Sequence, residues 1–168
     1  DRVVAAGAGF GLRHAGLKAL GSLRMEKGYR DYGHDIDNTD SVLEAGLGFA
    51  VDLDKPDGFI GRDSVVAMKA AGPLMRRLVQ VVVDDPEPLM FHAEVVRRDG
   101  NAVGYVRSAS YGFTLGGAVG LVMIEAGQPV NAAYLSSGSW DVEIAGTRYP
   151  ARLSMRPLYD PDNLRIKG

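Results

Sequence analysis

The chain has 168 residues, 46% of them apolar, enough for one large domain or two small ones with a real core. Its 19 Lys and Arg nearly balance 21 Asp and Glu, so net charge offers no case for nucleic acid or an anionic membrane. It has no cysteine, which excludes disulfides, thiolate nucleophiles and Cys-ligated metals and is compatible with the cytoplasm. No apolar run approaches the roughly 20 residues that span a bilayer.

The first residues, Asp1-Arg-Val-Val-Ala-Ala, lack an initiator Met and read as the inside of an element. The chain is expected to be a piece of a longer polypeptide. Gly7-Ala-Gly-Phe-Gly11 follows Val3-Val4 and precedes a helical pattern, the setting of a dinucleotide fingerprint. The fingerprint fails where a third glycine is required, because that residue is Leu12. Phe10 to Met25 reads as one helix, with Leu12, Ala15, Leu17, Leu20, Leu23 and Met25 largely on one face. Gly28 is its stop, and Lys27 stands where the helix dipole favours a cation.

Asp40 or Ser41 caps a short turn through Leu43-Glu-Ala45, and Gly46 to Leu53 alternates like a strand. Lys55-Pro-Asp-Gly58 is a turn, and Ser64 to Ala71 a second helix closed by Gly72-Pro73. Beyond Pro73 the texture changes. Leu74 to Val83 is a Val-rich strand, Glu94 to Val106 a hairpin about Asp99-Gly100, Gly117 to Ile124 a strand, and Asp141 to Leu153 a hairpin about Ala145-Gly146. Six or so strands without helices imply an antiparallel barrel or sandwich. The fold class is α+β, with a division into residues 1–73 and 74–168.

Among candidate sites, His34, Asp35 and Asp37 resemble a hard-metal cluster, but neighbours on extended backbone point apart and no second cluster completes a ligand set. No metal site is expected. Ser108-Ala-Ser110 and Ser136-Ser-Gly-Ser139 read as barrel turns, without the elbow of a serine nucleophile. No catalytic residue is assigned. Arg24, near the end of an apolar-faced helix, has the fork to bind a carboxylate through two parallel hydrogen bonds. The alternative for Arg24 is an internal ion pair with Glu26, Asp31, Asp35 or Asp37.

Four blocks then occur in order: Leu23-Arg-Met-Glu-Lys-Gly28, Gly33-His-Asp-Ile36, Val42-Leu-Glu-Ala-Gly-Leu47 and Lys55-Pro-Asp-Gly-Phe-Ile-Gly-Arg62. Together they resemble the glycine cleavage T-protein (aminomethyltransferase) family, with Val42 in place of the usual Pro. Ser110-Tyr-Gly-Phe-Thr-Leu-Gly116 and Leu158-Tyr-Asp-Pro161 are most similar to the C-terminal folate domains of sarcosine and dimethylglycine dehydrogenases or oxidases. The resemblance implies the remnant of an α/β folate-binding domain followed by a small antiparallel barrel. It implies tetrahydrofolate as cofactor, a small methylated amine as one-carbon donor, and FAD in a part of the parent preceding Asp1, together with the first half of the folate domain. It also implies that Arg24 meets the p-aminobenzoyl-glutamate end of the folate, with Tyr29 as a neighbour and Arg165 near the glutamate tail. Glu26, Gly33, Asp35, Glu44 and Gly46 match the motifs as scaffold, and Phe59 to Arg62 as an interdomain packing motif.

Overall fold

The computed structural model describes residues 1–167. Its centre is a closed six-stranded barrel of β1 (Arg76–Val83), β2 (Val95–Arg98), β3 (Asn101–Gly112), β4 (Gly117–Glu125), β5 (Trp140–Ile144) and β6 (Thr147–Ser154). The order around the barrel is β1-β4-β3-β2-β5-β6, every pair antiparallel, and β6 returns to β1 through Val83 opposite Ala151. Both two-residue hairpins form where the sequence puts them. Asp99-Gly100 and Ala145-Gly146 all take positive φ, the conformation of a tight turn that continues the strand twist.

The barrel interior is filled by Val79, Val81 and Val83 of β1, Val96, Val106, Val122, Ile124 and Val142, with Trp140 at one end. β4 is buried on both faces. Val122 and Ile124 point inward, whereas Val119, Leu121 and Met123 join Leu78 and Met25 in a second cluster outside the barrel. A strand covered on both sides needs an unbroken apolar run, which is how residues 119–124 read.

Met25 belongs to helix α2 (Leu17–Glu26), which lies against β3 and β4. It starts seven residues later than the sequence pattern suggests. Residues 2–7 form a separate helix, α1 (Arg2–Gly7), followed by a 3-10 turn over Ala8–Phe10 that Gly11 ends. Gly7 to Gly11 therefore lies in helical turns and follows no strand. α2 buries Ser22, Met25 and Glu26, while Leu17, Leu20 and Leu23 remain 85, 59 and 58% exposed. The apolar stripe is real, yet most of it faces away from the barrel.

The alternating stretch 46–53 is not a strand. It holds a 3-10 turn over Gly48–Ala50, because no neighbouring strand is there to pair with it. Helix α3 (Arg62–Ala70) follows. Ile60 is fully exposed, and Arg62 turns its Nε back to the Leu53 carbonyl at 2.8 Å. Two helices interrupt the expected all-strand half. They are α4 (Ala132–Ser136), capped by Asn131, and α5 (Leu164–Lys167) near the C-terminus. Ser108 and Ser110 lie within β3 and make no turn; Ser136 ends α4.

Candidate functional site

The end of α2 is fixed in four directions, and this makes its polar cluster rigid. Gly28 takes φ 61°, and the N–H groups of Gly28 and Tyr29 return to the carbonyls of Met25 and Arg24 at 3.0 and 3.1 Å. That pair of hydrogen bonds is the usual glycine-terminated helix end. From β1, Gln80 donates Nε2 to the carbonyls of Met25 and Glu26 at 2.6 and 3.0 Å, and its Oε1 accepts the Leu158 N–H at 2.6 Å. One buried amide thus satisfies the helix end and docks the C-terminal segment.

Glu26, 2% exposed, accepts the N–H groups of Thr114 and Leu115 at 2.6 and 3.1 Å and so pins the β3–β4 turn. Lys27 donates Nζ to the Asp160 carbonyl at 2.6 Å and to Asn163 Oδ1 at 2.8 Å, and pairs with the Asp160 carboxylate at 3.3 Å. Burial alone would raise the Asp160 carboxyl. The N–H groups of Arg165 and Leu164 and the Lys27 ammonium outweigh burial and hold it below its ordinary value.

Arg24 forms the ion pair that stands as the alternative to a ligand role, and Asp35 is the partner. Nη1 donates to Asp35 Oδ2 at 2.5 Å and to the Tyr29 carbonyl at 2.8 Å, and Nη2 to Ser108 Oγ at 3.3 Å. Asp35 is 0% exposed, and it also accepts the Asp31 N–H at 2.7 Å and the Ser108 hydroxyl. Beside it, Arg30 bonds the carbonyls of Ala45 and Gly28 at 3.0 and 2.6 Å. Gly46, at φ 70°, leaves Arg30 room: a Cβ there would lie 2.7 Å from its Nη2.

The other acids of the segment serve different partners. His34 pairs with Asp31 at 3.0 Å in solvent, and Asp37 accepts the Thr39 N–H and hydroxyl at 2.7 and 2.6 Å. His34, Asp35 and Asp37 hence do not converge. Asp40, with no exposed side-chain surface, meets Arg76 at 2.5 Å and Arg107 at 3.6 Å. Ser41 and Glu44 cap each other's backbone N–H groups at 3.0 and 3.2 Å, so Ser41 is the cap.

A β-bulge joins this loop to the barrel. Val106 pairs with Val122 and Ser108 with Leu121, so Arg107 is an extra residue in β3. Two adjacent residues then reach the same loop, Arg107 to Asp40 and Ser108 to Asp35. A regular strand would send them to opposite faces.

Of the three candidate ligand residues, Arg24 and Tyr29 adjoin through the Tyr29 carbonyl, with the Tyr29 ring half exposed. That ring lines a cleft of about 600 Å³ with Tyr32, Phe49, Arg156 and Asn163; Arg24 lies outside its lining. Arg165 is exposed on α5, whose first N–H groups are held by Asp160, the residue Lys27 grips. Its guanidinium makes no hydrogen bond or ion pair among the described residues. Sequence reasoning missed Ser108, Gln80, Asp40 and Arg107, all of which act across more than 35 residues of chain.

Comparison with known proteins places these features. The family model of the glycine cleavage T-protein C-terminal barrel domain matches residues 76–160, and that of the GCVT N-terminal domain matches residues 1–55. The chain is 42% identical to 4-methylaminobutanoate oxidase (formaldehyde-forming) of Paenarthrobacter nicotinovorans, over 100% of this chain and 20% of the relative. It is 41% identical to mitochondrial sarcosine dehydrogenase of Homo sapiens, over 99% of this chain and 18% of the relative. It therefore spans about a fifth of these proteins. The crystal structure of glycine cleavage system aminomethyltransferase T from Bartonella henselae superposes with a TM-score of 0.75 at 23% identity, covering 95% of this chain and 44% of that one. That likeness gives the fold. The barrel, its docked helix and both family matches establish that the chain belongs to the glycine cleavage T-protein family.

Proposed function

We propose that this chain is the C-terminal part of a tetrahydrofolate-dependent one-carbon transferase domain in a flavoenzyme that oxidises sarcosine, dimethylglycine or a similar small methylated amine. The observation that carries this reading is the identity of 42 and 41%, across nearly the whole chain, to an oxidase named as formaldehyde-forming and to a sarcosine dehydrogenase. Reduced folate, when bound, supplies the two nitrogens that take up a one-carbon unit. The division into residues 1–73 of the folate-binding domain and 74–168 of the barrel, and a cytoplasmic location, belong to the same reading.

The residues present fit a folate. Flat rings at Tyr29, Tyr32 and Phe49, all exposed on one cleft, suit the flat body of such a ligand. Arg24 and Arg165, both outside the lining of that cleft, are in this reading the cations for its glutamate carboxylates. Arg24 is rigid, since Asp35 and the Tyr29 carbonyl hold Nη1. In this reading the flavin belongs to other parts of the parent polypeptide.

The exposed face of α2 supports the expectation that more of the folate domain packs here. Leu17, Leu20 and Leu23 lie on one side of the helix, with Phe10 92% exposed nearby in sequence. Turnover needs that missing part. The 168 residues alone are expected to form no methylenetetrahydrofolate from tetrahydrofolate and a methylated amine. The full-length polypeptide, given sarcosine or dimethylglycine with tetrahydrofolate, is expected to form it faster than free formaldehyde condenses with tetrahydrofolate unaided. Formation no faster than that uncatalysed condensation would overturn the reading.

A further inference from the structure

The bulge at Arg107 bears on how Arg24 presents its charge. A guanidinium has five N–H donors, arranged as an end-on edge (Nη1 with Nη2) and a side-on edge (Nε with Nη2). Nη1 spends both hydrogens, on the Tyr29 carbonyl and Asp35 Oδ2. Nη2 spends one on Ser108 Oγ, and the Ser108 hydroxyl in turn donates to Asp35 Oδ1. Asp35 and Ser108 are thus linked to each other and together cover the end-on edge. The Nε–H and the second Nη2 hydrogen, two parallel donors, take no partner among the described residues.

We propose that Asp35 and Ser108 are positioning residues for Arg24, closing its end-on edge so that the side-on Nε–Nη2 edge receives a ligand carboxylate. This rests on the folate reading above. It gives the strands of the barrel a part in ligand binding, since none of Arg24, Tyr29 and Arg165 lies on a strand. Ser108 reaches Asp35 because Arg107 is inserted in β3. Asp35 has no exposed surface and accepts three donors, so its position is determined on every side. A planar fork held at one edge loses little freedom when the other edge engages, which is the advantage of arginine over lysine at such a point.

The test is a titration of the full-length polypeptide with two probes: folinic acid, and the matching reduced pteroyl amide, in which a plain carboxamide replaces the glutamyl group and no carboxylate remains. Ser108→Ala is expected to weaken folinic acid about three- to tenfold, the net range of one hydrogen bond, and to change the pteroyl amide less than about twofold. Ser108→Thr keeps the hydroxyl and is expected to restore wild-type affinity. In an Arg24→Ala background, Ser108→Ala is expected to add less than about twofold, because the group it positions is gone. Asp35→Asn is the stronger perturbation, and the serine series decides the matter if that variant fails to fold. Equal weakening of both probes by Ser108→Ala, or no weakening while Arg24→Ala still weakens folinic acid, would overturn the positioning role alone. If Arg24→Ala itself binds folinic acid like the wild type, the underlying assignment of Arg24 fails and this proposal with it.

Discussion

The two halves of the chain solve the burial problem differently. The barrel closes on itself, so its strands leave no edge, and its interior valines and Ile124 are sealed with Met90, Val130, Tyr134 and Leu135 from its own connections. The first 75 residues have no comparable core. Their largest fully buried apolar side chain is Met25, and it packs on the outside of the barrel. They are held instead by polar ties at the end of α2: Gln80 to the helix carbonyls, Glu26 to the β3–β4 turn, Lys27 to the C-terminal segment, and Arg24 through Asp35 to Ser108. One half is stabilised by apolar area, the other by placed hydrogen bonds. The half with the hydrogen bonds carries the candidate site, where charges must be held in fixed geometry.

That contrast is open to breakage. The largest effect is expected in the barrel. Ile124→Ala removes a side chain with no exposed surface and should cost about 2–5 kcal/mol, read as a loss of denaturation midpoint. Glu26→Ala is expected to come next, at about 2–4 kcal/mol, because it strands the N–H groups of Thr114 and Leu115. A loss no greater than that of an ordinary surface substitution would show that the β3–β4 turn is held otherwise.

The Lys27 tie makes a prediction in pH. The Asp160 carboxyl is held below its ordinary value, so its stabilising contribution is complete above about pH 4. The contribution is lost as pH falls through the lower folded value. Lys27→Met is expected to blunt this acid limb in melting temperature and to speed amide exchange across residues 158–167, with exchange in β4 unchanged. Faster exchange in β4 would mean that the tie supports the barrel as well as the segment. The smallest effect is expected at the open face of α2: Leu20→Ser in this chain should stay within about 0.5 kcal/mol. A large loss there would mean that the stripe already has a partner.

The same contrast explains what was legible in the sequence. Elements set by local chemistry were readable. Asp99-Gly100 and Ala145-Gly146 announce their hairpins through residues that accept positive φ, and Gly28 announces the end of α2. Leu12, Ala15 and Leu17 continue the helical spacing backward, yet α2 begins at Leu17 after an extended Gly16. Periodicity records which residues are apolar and is blind to whether a turn of helix forms to use them. The alternation over 46–53 misled for a related reason, since a strand also needs a neighbour. The site was half readable: Arg24 stood out by its chemistry and Asp35 was one of four acids within reach. Ser108 was hidden, because only the insertion of Arg107 brings it to Asp35, and a register shift leaves no mark in composition or spacing.

The central claim is that Arg24, clamped at the end of α2, receives the carboxylate of a reduced folate. Calorimetric titration of folinic acid into the full-length polypeptide, wild type against Arg24→Ala, tests it most directly. The account predicts saturable one-site binding by the wild type and a loss of roughly 10- to 100-fold in the variant, the scale of a charge-assisted hydrogen bond. Equal affinity in the two proteins, with the variant folded, would contradict it.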